Sequence, residues 1–182
     1  SNNFNENLKK YNEKFKPVIF LLNLDEIDHS ILNKSFIVYL GHHGDISAQH
    51  ADLILPIPAY TEKSSTYVNM EGRVIQTSRC YNPLGESKEE WKIFRTISDF
   101  FTKKLQFNNL IELRSEIINQ YPFIKELNTL PMHSQLDFGT DKIIKSRVID
   151  YNIKNFYKTD VISRSSVNMS NCSKEILNNV IL

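Results

Sequence analysis

Three short, near-continuous apolar runs lie close together early in this chain: Val18-Ile-Phe-Leu-Leu22, Ser35-Phe-Ile-Val-Tyr-Leu40 and Asp52-Leu-Ile-Leu55. Runs this short with no polar alternation are the pattern of strands covered on both faces, as in a parallel sheet. Asp25 to Leu32, acidic at its start, reads as a turn of helix between the first two. Gly41 to Ala51 separates the second from the third and leaves room for a compact right-handed crossover. Strand, crossover and strand in this order give an α/β fold with a partial parallel sheet. Three strands make a small, open sheet, and fully buried strands need helices on both faces. This stretch offers few, so the sheet is expected to be completed by an upstream part of the chain or by another chain.

The third run leads into the densest polar stretch. Pro56 and Pro58 close it, and Glu62-Lys-Ser-Ser-Thr-Tyr-Val-Asn-Met-Glu-Gly-Arg73 follows. Tyr67-Val-Asn69 and Arg73-Val-Ile75 are β-prone and flank Met70-Glu-Gly72, which predicts a small hairpin. A polar loop at the exit of an α/β strand stands where such folds place ligands.

Elsewhere the periodicity is helical. Phe4, Leu8, Tyr11 and Phe15 mark an amphipathic helix over 4–15 that Pro17 ends. After a loop at Pro83 and Gly85, Trp91, Phe94, Ile97, Ser98 and Phe101 share one face of a helix from Glu86 to Lys104. Leu110 to Gln120 reads as a second helix and Phe123 to Leu127 as a short third. Residues 128–150 read as an extended arm and Ile149 to Phe156 as a weak strand. Ser163-Arg-Ser-Ser166 offers caps for a closing helix from Val167 to Asn178. This divides the chain into an α/β part over 1–84, a helical segment over 85–127, and an arm with a C-terminal helix over 128–182.

Charge and cysteine content exclude several functions. Lys and Arg number 22 against 21 Asp and Glu, a formal net charge of +1. A nucleic-acid surface needs clustered positive charge, so none is expected. No apolar run approaches the roughly 18 residues of a membrane-spanning helix. The two cysteines, Cys80 and Cys172, stand far apart. They read as free thiols and cannot supply the full thiolate set of an iron–sulfur cluster.

Two constellations invite a chemical reading. Gly41-His-His-Gly-Asp45 with His50 places His42, His43, Asp45 and His50 within reach of a metal such as zinc. Adjacent histidines rarely both turn inward, and the spacing fits no zinc motif. The favoured reading is a polar turn in which Gly41 and Gly44 permit the tight backbone. Asp52, Glu62 and Glu71 are available as acid or base groups. Glu62 adjoins Lys63 and Glu71 lies near Arg73, so local ion pairs bracing the hairpin are expected instead. Ser64 and Ser65 have no His–Asp partnership, and no phosphate-cradling glycine motif occurs.

The motifs together resemble a known family. Glu62-Lys-Ser-Ser-Thr-Tyr-Val-Asn-Met-Glu-Gly-Arg73 is similar to the E-K-x-x-T-F/Y-x-N-x-E-G-R signature of molybdopterin oxidoreductases. It most resembles the version in the 75 kDa type of respiratory complex I subunit. Tyr39-Leu-Gly-His-His-Gly-Asp45, Ala51-Asp-Leu-Ile-Leu-Pro56, Glu90-Trp-Lys-Ile93 and Asn155-Phe-Tyr-Lys-Thr-Asp-Val-Ile-Ser-Arg164 resemble further motifs of that type, in the same order. The likeness runs from about residue 17 to 175.

The resemblance implies a molybdopterin-oxidoreductase-like domain that has lost its cofactor, here its last part. It implies iron–sulfur clusters in a cysteine-rich N-terminal half, either upstream or on a separate polypeptide. It further implies a place in the peripheral arm of NADH:ubiquinone oxidoreductase, on the matrix side of the mitochondrial inner membrane, beside other peripheral-arm subunits. Active members usually carry Gly where Ser65 stands, and continue into a β-rich pterin-capping domain where this chain continues into helices. On this reading the chain has no catalytic, cofactor or metal residues of its own. Glu62, Lys63, Asn69, Glu71, Gly72 and Arg73 form a vestigial loop. The alternative is the cofactor-binding half of a molybdopterin-dependent oxidoreductase, holding its cofactor with Glu62, Asn69 and Arg73.

Overall fold

The structure is a computed structural model and describes residues 16–24, 27, 29–32, 34–130 and 155–177. The helix expected over 4–15, nearly all of the 128–150 arm and most of the 149–156 strand lie outside these residues. Asn155 and Phe156 are not in a strand. The chain divides into two compact units, Ser1–Pro56 with Ile144–Leu182, and Ile57–Ile143.

In the first unit the three apolar runs become β1 (Val18–Leu22), β2 (Phe36–Gly41) and β3 (Leu53–Pro56). All pairing is parallel, in the order β1-β2-β3. The register sets Val18 against Phe36 and Tyr39 against Ile54. Alternation along the strands then places Ile19, Leu21, Ile37 and Tyr39 on one face. That face packs with Leu32, from a 3-10 turn over His29–Leu32, and with Ile27, Ala48 and Ala51. The crossover holds a single short helix, α1 (Ile46–Gln49).

The expectation that every strand is covered on both faces holds only for β2, whose side chains from Ile37 to Leu40 are all buried. In β1, Val18, Phe20 and Leu22 are exposed, and in β3, Leu53 and Ile54 are exposed. The reason is topological. β1 and β3 are the outer strands, and among the described residues no further strand flanks either.

Polar groups set the register at the start of β3. The Ile37 N–H donates to Asp52 Oδ2 at 2.8 Å, while the Asp52 N–H donates to the Ile37 carbonyl at 2.9 Å. Asp52 therefore extends the ladder by one rung. At the other end of β2, the Tyr39 hydroxyl donates to the His43 carbonyl at 3.0 Å. This draws the Tyr39 ring across Gly41, where a Cβ would meet ring atoms closer than 3.0 Å. Gly44 is different: nothing lies within 4 Å of where its Cβ would stand. Of the two glycines expected to permit the turn, Gly41 is required by a close approach and Gly44 is not.

The C-terminal part of this unit is helical. The expected closing helix is α5 (Val167–Cys172), capped by Ser166 and continued by a π turn over Ser173–Leu177. A further short helix, α4 (Val161–Ser165), precedes it. Asp160 caps α4: its carboxylate accepts the N–H groups of Ile162 and Ser163, and its own N–H donates to the Ser163 hydroxyl at 3.1 Å. This is a capping box with serine in place of glutamate.

In the second unit, β4 (Thr66–Val68) and β5 (Val74–Gln76) form the expected antiparallel hairpin. The helix expected over 86–104 is shorter, α2 (Glu90–Ser98). Ser98 explains the stop. Its hydroxyl donates to the Arg95 carbonyl at 2.7 Å and accepts the Leu105 N–H at 3.1 Å, which turns the chain back. Phe101, placed by periodicity on the buried face, is exposed as a result. The next helix, α3 (Leu110–Gln120), keeps its predicted bounds because Asn109 and Glu112 form a reciprocal cap. A 3-10 turn over Pro122–Lys125 follows, led by the proline.

Two outcomes are expected. Gly41→Ala forces the Tyr39 ring aside and destabilises β2 by about 1–3 kcal/mol, whereas Gly44→Ala is near neutral; hydrogen exchange of β2 amides in the assembled protein reads both. The Ser163 backbone N–H, then its hydroxyl, hold the Asp160 carboxyl below the usual aspartate range. A lowered value means that the cap is fully present above the unfolded-chain value and is lost as pH falls below about 4. The amides of Ile162 and Ser163 should exchange faster through that window, and Asp160→Asn should remove the dependence.

Candidate functional site

The motif loop begins where β3 ends, and local hydrogen bonds decide its shape. Ile57 and Pro58 are buried, and a 3-10 turn over Tyr60–Glu62 follows. Glu62 closes this turn on itself, its Oε2 accepting the Ala59 N–H at 3.0 Å. The next residue, Lys63, is buried although it is a lysine. Its ammonium is paired with the Glu90 carboxylate, the two side chains only 10% and 17% exposed. Ser64 accepts the Arg79 N–H at 3.1 Å, and the Ser65 N–H donates to the Thr77 hydroxyl at 3.2 Å.

The hairpin tip is organised by one side chain. Asn69 Oδ1 accepts the N–H groups of Glu71 at 3.0 Å and Arg73 at 2.9 Å. This is an Asx-type turn, in which a short amide replaces backbone partners. Gly72 closes it at φ +83°, in the left-handed region that favours glycine. Arg73 turns away from the tip and donates from Nη1 to the Asn128 carbonyl at 2.7 Å. The Asn128 N–H donates to the Val74 carbonyl at 2.8 Å, so the chain after the 3-10 turn runs beside β5.

These contacts correct the expectation of local ion pairs. Glu62 does not pair with Lys63, and Glu71 does not pair with Arg73. Glu62 holds its own turn, and the Glu71 carboxylate accepts from Asn69 Nδ2 at 3.4 Å. Lys63 follows the short 3-10 turn with extended backbone, which carries its side chain away from Glu62 and toward Glu90. Sequence adjacency is a poor guide here because the backbone changes from a 3-10 turn at Glu62 to extended at Lys63.

An open cleft of about 410 Å³ lies beside Ser64, lined also by Ser78, Arg79, Glu89, Trp91, Lys92 and Leu110. Its charges are largely matched. Glu89 accepts from the Trp91 indole N–H at 2.8 Å and from Lys92 at 3.0 Å. Burial pushes the Glu89 carboxyl up, but the Trp91 and Lys92 contacts together outweigh it and leave the carboxyl lowered.

The histidine loop belongs to the first unit. The His42 and His43 rings meet edge to face, with their Nδ1 atoms 2.6 Å apart in a shared hydrogen bond. One Nδ1 must donate and the other accept. Asp45 pairs with Arg164, Oδ2 to Nη2 at 2.9 Å, both side chains largely buried. His50 is exposed. The structure therefore brings His42 to His43 but commits Asp45 to the far end of the chain. Among the described residues, no three His, Cys, Asp or Glu side chains gather as a metal site.

Two pairings could not be anticipated from spacing, Lys63 with Glu90 and Asp45 with Arg164. Each joins two sequence motifs. Lys63 lies in the signature loop and Glu90 opens Glu90-Trp-Lys-Ile93. Asp45 ends the histidine loop and Arg164 ends the motif that begins at Asn155. The sequence held no signal for either, since the burial of Lys63 and of Arg164 that demands a partner comes from the fold.

Comparison with known proteins fits this pattern. Residues 1–100 match the family model described as molybdopterin oxidoreductase. The chain belongs to the molybdopterin oxidoreductase family. Residues 132–172 match a second model, that of the C-terminal part of the NADH-ubiquinone oxidoreductase G subunit. Among relatives, the chain is 39% identical over 165 residues to the mitochondrial NADH-ubiquinone oxidoreductase 78 kDa subunit of Candida albicans, covering 85% of this chain and 23% of that one. It is 38% identical over 176 residues to the NADH-ubiquinone oxidoreductase 75 kDa subunit of Reclinomonas americana, covering 91% and 25%. It is 39% identical over 154 residues to the NADH-quinone oxidoreductase G subunit of Rickettsia bellii, covering 84% and 22%. The chain thus spans about a quarter of the length of these curated relatives. The family read from the motifs is the family matched.

For this molybdopterin oxidoreductase relative, the Lys63–Glu90 pair gives a direct test. Lys63→Met leaves the Glu90 carboxylate without its cation and should cost about 2–3 kcal/mol, somewhat less than for a fully buried pair. The double variant K63M/E90L should recover part of that loss, as read by hydrogen exchange of α2.

Proposed function

We propose that this chain is a structural, non-redox part of a 75 kDa type subunit of respiratory complex I. It stands in the peripheral arm on the matrix side of the mitochondrial inner membrane. There it supports transfer of electrons from NADH to ubiquinone along iron–sulfur clusters held elsewhere, in the N-terminal half of the subunit or in a partner polypeptide. The catalytic activity belongs to the assembly, NADH:ubiquinone reductase. The helices after residue 86 and the tail from Ile149 are the parts offered to the rest of the subunit or to neighbouring peripheral-arm subunits. Among the described residues no helix is long and apolar enough to cross a membrane.

One observation carries the structural reading. Four loop side chains that stand at charged or amide positions of the family signature, Glu62, Lys63, Asn69 and Arg73, are each engaged with this chain's own groups. Glu62 holds Ala59, Lys63 holds Glu90, Asn69 holds the turn and Arg73 holds Asn128. A pterin site needs convergent polar groups aimed at a ligand, and Glu62, Asn69 and Arg73 are not left to converge on one. Nor does a cluster fit, since Cys80 and Cys172 are single free thiols that fall in different units. We read Glu62, Lys63, Asn69, Glu71, Gly72 and Arg73 as a loop retained for the hairpin it builds.

Purification of complex I from the source organism should yield this chain in equal amount with the cluster-bearing polypeptide. Its absence defeats the proposal. Elemental analysis of the purified assembly should find neither molybdenum nor tungsten, and a stoichiometric amount of either supports the cofactor-binding alternative instead.

A further inference from the structure

We infer that the groove between α3 and the chain at Lys103–Phe107 receives an amphipathic helix of a neighbouring peripheral-arm subunit, apolar along the edge that enters and acidic along one flank. The inference rests on the membership proposed above and names the surface and the chemistry that membership uses.

Two walls build the groove. One is the face of α3 that carries Glu112, Leu113, Glu116, Ile117 and Gln120, residues brought into line by the helical repeat. The other is the chain that turns back after α2, from Lys103 to Phe107. That wall is held by the chain's own bonds: Ser98 Oγ accepts the Leu105 N–H at 3.1 Å, and Arg95 Nε donates to the Phe107 carbonyl at 3.1 Å. The space between the walls is about 420 Å³, with Leu105, Phe107, Leu113 and Ile117 supplying its apolar side chains. From Glu112 to Gln120 the lined face runs for about 12 Å, roughly two turns of a helix laid beside it. Phe100 and Phe101 stand just ahead of the second wall, 87% and 63% exposed, on backbone that donates to the Ile97 and Ser98 carbonyls. Aromatic side chains displayed on fixed backbone are common anchors of protein interfaces.

Charge decides what fills the groove. The acids of the α3 wall are already engaged close by. Glu112 accepts the Asn108 N–H at 2.7 Å and Asn109 Nδ2 at 2.6 Å, and Glu116 accepts Gln120 Nε2 at 2.9 Å. The lysines opposite are not so matched. Lys104 stands 3.9 Å from Asp99, which Arg95 already holds at 2.7 Å, and Lys103 makes no ion pair among the described residues. Carboxylates that enter toward Lys103 and Lys104 gain partners, and the same carboxylates turned toward Glu112 and Glu116 meet like charge. That asymmetry sets the orientation of the entering helix. Apolar side chains between charged rims form the pattern of helix-in-groove recognition. A lipid surface fits less well, because it is read by clusters of about four to eight basic residues, and here two lysines face two carboxylates.

The family matches point to the source of the helix. The molybdopterin oxidoreductase match ends at residue 100 and the G-subunit match begins at residue 132. Both walls lie in the stretch between them. Surfaces that complete the shared α/β fold belong to the first match, so a groove outside it serves a contact beyond that fold. The occupant is therefore a separate subunit and not the upstream part of this one.

A photo-crosslinking residue at position 106, exposed on the second wall, tests this in purified complex I, with position 70, fully exposed at the hairpin tip, as the control. The expected product joins position 106 to another subunit, at a helix with apolar residues in helical repeat and Asp or Glu along one flank. A product with the cluster-bearing part of the subunit, with a second copy of this chain, with lipid, or with a segment lacking the acidic flank overturns the inference. So does a yield no higher than at position 70. The paired variant K103E/K104E supplies a second reading. Both side chains are exposed, so the chain's own fold stays intact. The crosslink yield at position 106, read per chain recovered, should fall about tenfold because carboxylates then face carboxylates. K103Q/K104Q should lower it less, and an unchanged yield in K103E/K104E overturns the acidic partner. If the unaltered chain is missing from the complex, the membership itself has failed. A crosslink to the wrong partner leaves the membership standing and removes only the groove.

Discussion

The ion pair between Lys63 and Glu90 is the contact on which the second unit turns. A lysine leaves water only when its charge is met, and here the partner comes from the first residue of α2, 27 positions along the chain. The pair fastens the loop after β3 to the helix. With the helix start fixed, Arg95 lies where it can hold the Phe107 carbonyl, Asp99 and Asn108 together. Trp91 meets the Phe107 ring edge to face at 6.3 Å. The first unit has its own counterpart in Asp45 and Arg164, which joins residues 119 positions apart.

This arrangement explains why the loop looks like a site. A cofactor cradle and a structural hairpin both require polar side chains held in fixed directions next to a strand end. The difference is where the groups point. Asn69 turns its amide oxygen onto the backbone of Glu71 and Arg73, and Arg73 reaches the carbonyl of Asn128. Met70 and Glu71 stand outside in solvent. In this chain Glu62, Lys63, Asn69 and Arg73 each hold a different piece of chain.

Much of the architecture was legible in the residues. Val18 to Leu22, Phe36 to Leu40 and Leu53 to Leu55 announced three strands because unbroken apolar runs of that length have no other economical use. The hairpin was legible from Gly72, which only a turn requires. The helix over 110–120 was bounded correctly because Asn109 is a strong cap. The helix over 86–104 was overextended because periodicity counts apolar positions and is blind to the Ser98 hydroxyl, which captures the Leu105 N–H and ends the helix. α4 went unread for a similar reason: Asp160 is a good cap, but the five residues it begins are too few to show a period.

By itself the sequence determined the family, the parallel α/β character and the position of the signature loop, since each is written in residue type and short-range spacing. It could not determine the partners of the charges. Glu62 beside Lys63 invited a pairing that the fold does not make, because Glu62 ends a 3-10 turn and holds the Ala59 N–H while the backbone becomes extended at Lys63. Only the tertiary structure decided that Lys63 meets Glu90, that Asp45 meets Arg164, and that β1 is an outer strand of the sheet among the described residues. Those facts depend on which distant segments are brought together, and local periodicity carries no record of that.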